Sequence, residues 1–163
     1  MTQNQATSLT TFYKGWDVYQ QELSKAIAPL SPEQLALRAT PHLRSILEIA
    51  THIIAVRARW FHNLMGEGNE EIASIAGWDR GGAPALNAAD LVSGLETTWQ
   101  MIQHALARWT PADLEYIFKG TRNGEEYQLS RQWVLWHVIE HDLHHGGELS
   151  FSLGMHGLAA PDL

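Results

Sequence analysis

Four stretches of this sequence space their apolar residues three and four apart, and almost nothing alternates apolar with polar, a pattern that selects α-helices over strands. The first stretch runs from about Leu9 to Ile27 and stops before Pro29. The second follows Pro41, where "HLRSILEIATHIIAVRARWFHNLMG" carries Leu43, Ile46, Leu47, Ala50, Ile53, Ile54 and Trp60 before Gly66. Asn87, with Asp90 three residues on, opens a third helix that reaches about Trp109. Ser130 is placed to cap the fourth, which extends to Leu153 and ends at Gly154.

The segments between these helices have turn chemistry. "LSPEQL" offers Ser31 as a cap and Pro32 as the first residue of a short helical turn. "GEGNEEIASIAGWDRGGAPAL" reads as a long loop holding one helical turn, and loops of that length in compact domains are often functional. Thr110 and Pro111 begin another short turn, and "KGTRNGEEYQL" is either a loop or a small hairpin about Asn123 and Gly124. With no repeats or low-complexity linkers, residues 1–163 are expected to form one all-α domain, a four-helix bundle. The long second connection leaves room for a crossover.

Composition narrows the chemistry. Eleven basic against eighteen acidic residues give a formal charge of −7, which opposes binding to nucleic acid or to anionic membranes. There is no cysteine, so the chain supplies no disulfide and no thiolate, and a metal would have to be held by His, Asp or Glu. The N-terminus lacks a basic start followed by an apolar run, and no apolar stretch approaches the ~20 residues needed to cross a bilayer. The expectation is a soluble, cytoplasmic protein acting on a small molecule. Trp60, Trp78, Trp133 and Trp136 either fill the core or shape a pocket.

The chemistry concentrates in "WHVIEHDLHHGGELS", residues 136–150, which holds four of the nine histidines. His141 and His145 are four apart, so on a helix they point the same way with a rise of about 6 Å and can share one ion. His137 and His145 are separated by about 12 Å of rise, so one helix cannot easily bring all three to one ion. A third ligand is therefore sought on another helix, and His52, inside the apolar run "ILEIATHIIAV", is the best candidate. Three neutral imidazoles with open coordination positions suit a catalytic divalent metal, zinc first and nickel next.

Glu48, one turn before His52, and Glu148, three residues past His145, are candidates to orient the second ring nitrogens. Each is otherwise a solvated surface carboxylate. His144 forms a second-choice pair with His141, and His137 either lines the site or packs against Trp133. His42, His62, His104 and His156 read as surface or packing residues. Arg59 and Arg80 either meet a substrate or cofactor acid or form surface salt bridges. Gly146 and Gly147 are poor helix formers, each costing about 1 kcal/mol relative to alanine. They let a neighbouring helix or a ligand approach the backbone, or else they mark a kink or an early helix end.

"SILEIATHIIAVRARWF" followed by "VLWHVIEHDLHHGGELSFSLGMHGL" resembles the DinB-like superfamily, which includes YfiT-type metal-dependent hydrolases and thiol-dependent transferases. "GWDRGGAPAL" in the middle loop fits related members. The motif of one histidine late in the "S-hydrophobic-E-hydrophobic-A-x-H" helix and two more in the last helix falls on His52, His141 and His145. The resemblance implies a commonly dimeric four-helix bundle with a crossover and a divalent metal in an open pocket, working with a low-molecular-weight thiol such as bacillithiol, mycothiol or glutathione. Many relatives carry "HHRG" where this chain has "HHGG", so Gly146 replaces an arginine and any contact made by that side chain is in doubt. The leading expectation is a metal-dependent thiol S-transferase or hydrolase. The alternative is a metal- or small-molecule-binding stress-response protein without turnover. A carboxylate-bridged di-iron centre is disfavoured because no Glu-x-x-His occurs on the relevant helices.

Overall fold

A computed structural model describes residues 9–162. Residues 1–8, the N-terminal stretch that lacks a basic start followed by an apolar run, lie outside them. The chain is mostly helical: α1 (Leu9–Phe12), α2 (Lys14–Ile27), α3 (Pro32–Leu35), α4 (Ile46–Ala58), α5 (Glu70–Ile75), α6 (Ala88–Arg108) and α7 (Arg131–Met155). The four long helices are α2, α4, α6 and α7. They pack as a bundle in which α4 lies against both α6 and α7, while α2 lies against α6 and reaches α7 through its side chains.

Local chemistry explains the boundaries. At α4, Ser45 Oγ accepts from the Glu48 amide and the Glu48 carboxylate accepts from the Ser45 amide, a reciprocal cap that fixes where His52 falls on the helix. Asn87 and Asp90 cap α6 in the same way, and Ser130 caps α7 by accepting from the Trp133 amide. The second helix does not run uniformly to Gly66: α4 passes into a π-helical stretch, Arg59–Leu64. That wider turn rephases the side chains that follow, and Arg59 and Trp60 stand at its start.

Residues 117–130 resolve the choice between loop and hairpin. Strands β1 (Ile117–Arg122) and β2 (Glu125–Ser130) pair antiparallel, Arg122 opposite Glu125, across a two-residue turn in which Asn123 and Gly124 both have positive φ. Asn-Gly is the sequence that such a turn favours. The hairpin leads directly into α7.

The core joins Leu23, Ile27, Ile46, Ile53, Leu91, Ile102, Leu135 and Leu149 from all four long helices with Phe61 from the π-helical stretch. One polar network is sealed within it. Asp142 on α7 accepts from Trp16 Nε1 at 2.7 Å and from Arg57 Nε at 2.8 Å, and Arg57 also donates to Gln20. Arg57 and Asp142 are both fully buried. Among the described residues no helix is long and apolar enough to cross a membrane.

Candidate metal centre

Packing of α4 on α7 brings the three predicted histidines together. His52 Nε2 lies 3.1 Å from His141 Nε2. The ring centroids of His52 are 4.8 Å from those of both His141 and His145, and the latter two are 4.3 Å apart. One nitrogen from each ring falls within 4.8 Å of the others. Metal–nitrogen bonds of about 2.0–2.1 Å in tetrahedral geometry place neighbouring nitrogens a little over ~3 Å apart, so the His52–His141 spacing already suits a shared ion.

Two of the three outer nitrogens are held by carboxylates, the arrangement that ligation favours. His52 Nδ1 is 2.6 Å from Asp79 Oδ2, and His145 Nδ1 is 2.8 Å from Glu148 Oε2. A carboxylate holding Nδ1–H leaves the Nε2 lone pair facing inward. His141 Nδ1 is buried and has no hydrogen-bond partner among the described residues. Burial, and then the positive potential of His145, His52, His137 and Arg59, push the His141 imidazole down to about 3. His145 is lowered as well, by burial, which outweighs the opposing hydrogen bond that it donates to Glu148. The surroundings therefore hold His141 neutral near pH 7, the form that binds metal.

Asp79 is fixed in turn. Arg59 reaches both its oxygens, Nη1 to Oδ1 at 2.5 Å and Nη2 to Oδ2 at 2.8 Å, and also donates to the Ala76 carbonyl. Burial alone would raise the Asp79 carboxyl, but the hydrogen bonds from Arg59 and His52 outweigh it and bring it down to about 2. Arg59 thus ties the long loop to α4 and is not a free cation.

Two cavities open beside the imidazoles. A cavity of about 420 Å³ lies on the His52 side, between the start of α4 and the loop carrying Trp78, Asp79 and Arg80. A larger one of about 970 Å³ lies on the His141 side, between the π-helical stretch and the hairpin. Its floor is aromatic. Trp133 stacks on His137 at 4.9 Å, and Trp60 meets both edge-on. Arg80 borders both cavities.

The family model for the DinB superfamily matches residues 16–149, most of the chain. The chain belongs to the DinB superfamily. Two solved structures share this DinB fold. A DinB-like protein from Bacillus cereus ATCC 10987 is 21% identical with a TM-score of 0.70, covering 93% of this chain and 95% of that one. A candidate DinB family member from Exiguobacterium sibiricum 255-15 is 20% identical with a TM-score of 0.65, covering 93% of each chain. No curated protein sequence matches the chain.

Beside the three histidines, this DinB-superfamily bundle places the other predicted residues unevenly. Glu148 meets a ring nitrogen as expected. Glu48 does not; it caps α4 and pairs with Arg38, bordering the smaller cavity only. His137 and Trp60 line the larger cavity, while His144 is exposed, its ring stacked edge-on against His145. Trp136 faces solvent. Asp79 is the contact that the sequence does not signal: it lies in the long loop beside Arg80, and no helical spacing links a loop carboxylate to His52.

Proposed function

We propose that this protein is a divalent-metal-dependent enzyme that joins a low-molecular-weight thiol to an electrophilic small molecule at the three-imidazole site. The observation that carries the reading is the convergence of His52, His141 and His145 with two of their outer nitrogens held by Asp79 and Glu148. Zinc or nickel fits an all-nitrogen donor set of this kind. A cation held there would supply Lewis-acid activation of a thiol or of water.

Two cavities favour transfer over simple hydrolysis. A transfer brings two molecules to one point, and here the imidazoles are reached from two sides. The chain has no cysteine, so the sulfur nucleophile comes from a ligand. Trp60, Trp133 and His137 form an aromatic wall that offers flat faces to an unsaturated or aromatic reactant. Asp79 and Glu148 hold the rings in place.

The test has two parts. Elemental analysis of protein purified without a polyhistidine tag is expected to find near-stoichiometric transition metal that His141→Ala loses; unchanged content in the variant removes His141 from the site. Zinc- and nickel-loaded protein is then screened with several thiols against several electrophiles. Ligand binding without conjugation, and without ester or amide hydrolysis, would leave a non-catalytic binding protein as the function.

A further inference from the structure

The eight arginines fall into two groups. Arg38 pairs with Glu48, Arg57 with Asp142, Arg59 with Asp79, and Arg108 with Glu67. Arg131 donates to the Asp113 carbonyl and lies over the Trp109 ring. Among the described residues, the guanidinium groups of the other three, Arg44, Arg80 and Arg122, meet no carboxylate or carbonyl oxygen. All three border the cavities beside the imidazoles, and Arg44 and Arg80 share the smaller one.

An unpaired surface arginine is ordinarily just solvated, so the surroundings decide. Carboxylates outnumber cations in this chain, and counter-charges are plentiful. The two that border the smaller cavity, Glu48 and Asp79, are already engaged by Arg38 and Arg59. Two uncommitted cations therefore face one small volume. A planar guanidinium binds an oxygen acid through two parallel hydrogen bonds. Beside Thr51 and His52, the wall includes Leu47, Ala83, Pro84 and Leu86, an apolar stretch that suits a short aliphatic arm. The larger cavity differs, because Glu125 and Glu126 border it together with Arg122.

We infer that the smaller cavity binds the acidic end of a small anionic reactant through Arg44 and Arg80, placing the rest of that molecule beside His52. This deepens the proposed reaction and rests on it for the identity of the reactant as the thiol. The anionic end could be a carboxylate or a phosphoryl group, since the guanidinium chemistry is the same for both.

The inference is tested on zinc-loaded protein by calorimetric titration with mercaptosuccinate, a thiol with two carboxylates, and with 2-mercaptoethanol, a neutral one. Mercaptosuccinate is expected to bind at least about tenfold more tightly, a preference that falls with added salt. In the double variant Arg44→Gln/Arg80→Gln the preference should shrink to about threefold or less, with 2-mercaptoethanol binding unchanged. Both residues are exposed, so the variant is expected to fold. Metal-stripped protein is titrated in parallel with succinate and with inorganic phosphate, following tryptophan fluorescence, because Trp78 borders this cavity. Arginine-dependent binding of succinate identifies a carboxylate, and of phosphate a phosphoryl group. Equal affinity for the two thiols, or a preference that survives in the double variant, overturns the inference. Protein that retains no metal but binds succinate through these arginines refutes the metal reading alone; metal-loaded protein indifferent to charge refutes this one alone.

Discussion

Acidifying the metal-free protein should lower its stability, and His141 should account for a measurable share of the loss. Burial and neighbouring positive potential hold that ring at about 3 in the folded protein, against about 6.5 in an unfolded chain. Between those values the unfolded chain binds a proton that the folded chain refuses. Stability therefore rises with pH across the window and falls as pH drops below about 6.5. At about pH 5 the window has been entered by about 1.5 units, and about 1.4 kcal/mol per unit gives roughly 2 kcal/mol as a ceiling. Water reaches part of the ring, so about 1 kcal/mol is the working figure. His145 shifts in the same direction and adds to the total. Urea denaturation of chelator-treated protein at about pH 7 and about pH 5, compared between wild type and His141→Gln, isolates the contribution. The variant has no ring to protonate at 141 and should lose about 1 kcal/mol less than wild type over that interval. Identical losses in the two proteins would refute the idea that the fold keeps this imidazole neutral.

Asp79→Asn removes the charged acceptor at His52 Nδ1 and leaves Arg59 without its partner, so zinc affinity should fall by about 10- to 100-fold in competition with a chromophoric chelator. The two glycines of α7 should respond in opposite ways to alanine. A Cβ at Gly146 would meet the Tyr19 hydroxyl, so Gly146→Ala is expected to destabilise by about 1–3 kcal/mol, whereas Gly147 has nothing within 4 Å and Gly147→Ala should stabilise by up to about 1 kcal/mol in urea titrations. Arg57→Met strips the buried Asp142 of its counter-charge and should cost about 3–5 kcal/mol by the same measurement. We also propose a homodimer through the outward face of α7, where Trp136, Leu143, Phe151 and Met155 are exposed. Sedimentation is expected to give twice the 18.3 kDa chain mass, and Phe151→Glu should return it to the monomer.

What could be read from the sequence follows from where the information is local. Helix phase is local: four-residue spacing put His141 and His145 on one face, and an apolar run put His52 on an inward face, so the trio was legible before any packing was known. Caps are local too, and Ser45, Asn87 and Ser130 begin helices as their side chains dictate. Asp79 was hidden because its role depends on how a loop 27 residues downstream of His52 folds back over α4. Glu48 borders the smaller cavity but does not reach a ring nitrogen, for the converse reason. Its position one turn from His52 is real, but a reciprocal cap with Ser45 offered its carboxylate nearer partners. The π-helical turn at Arg59 also lacks a local signature. There the helix must present Arg59 to Asp79 and Trp60 to the aromatic wall.

Gly146, where the resemblance implies an arginine in many relatives, faces the packed side of α7 in this chain. Asp142 and Gly146 each follow a site histidine by one residue, which turns them about 100° around the helix. That face is buried against α2 and α4: Asp142 bonds to Trp16 and Arg57, and the Cβ direction of Gly146 is filled by Tyr19. A side chain at 146 would point into this packed layer and not into either cavity. The layer has its own bearing on the site. A directional network joining α2, α4 and α7 fixes the rotation of α7 about its axis, because turning the helix would pull Asp142 away from two fixed donors. A small rotation would also swing both His141 and His145 away from His52. The buried polar cluster therefore holds the imidazoles in register from behind, and the close approach of Tyr19 at Gly146 keeps the helices near enough for it to do so.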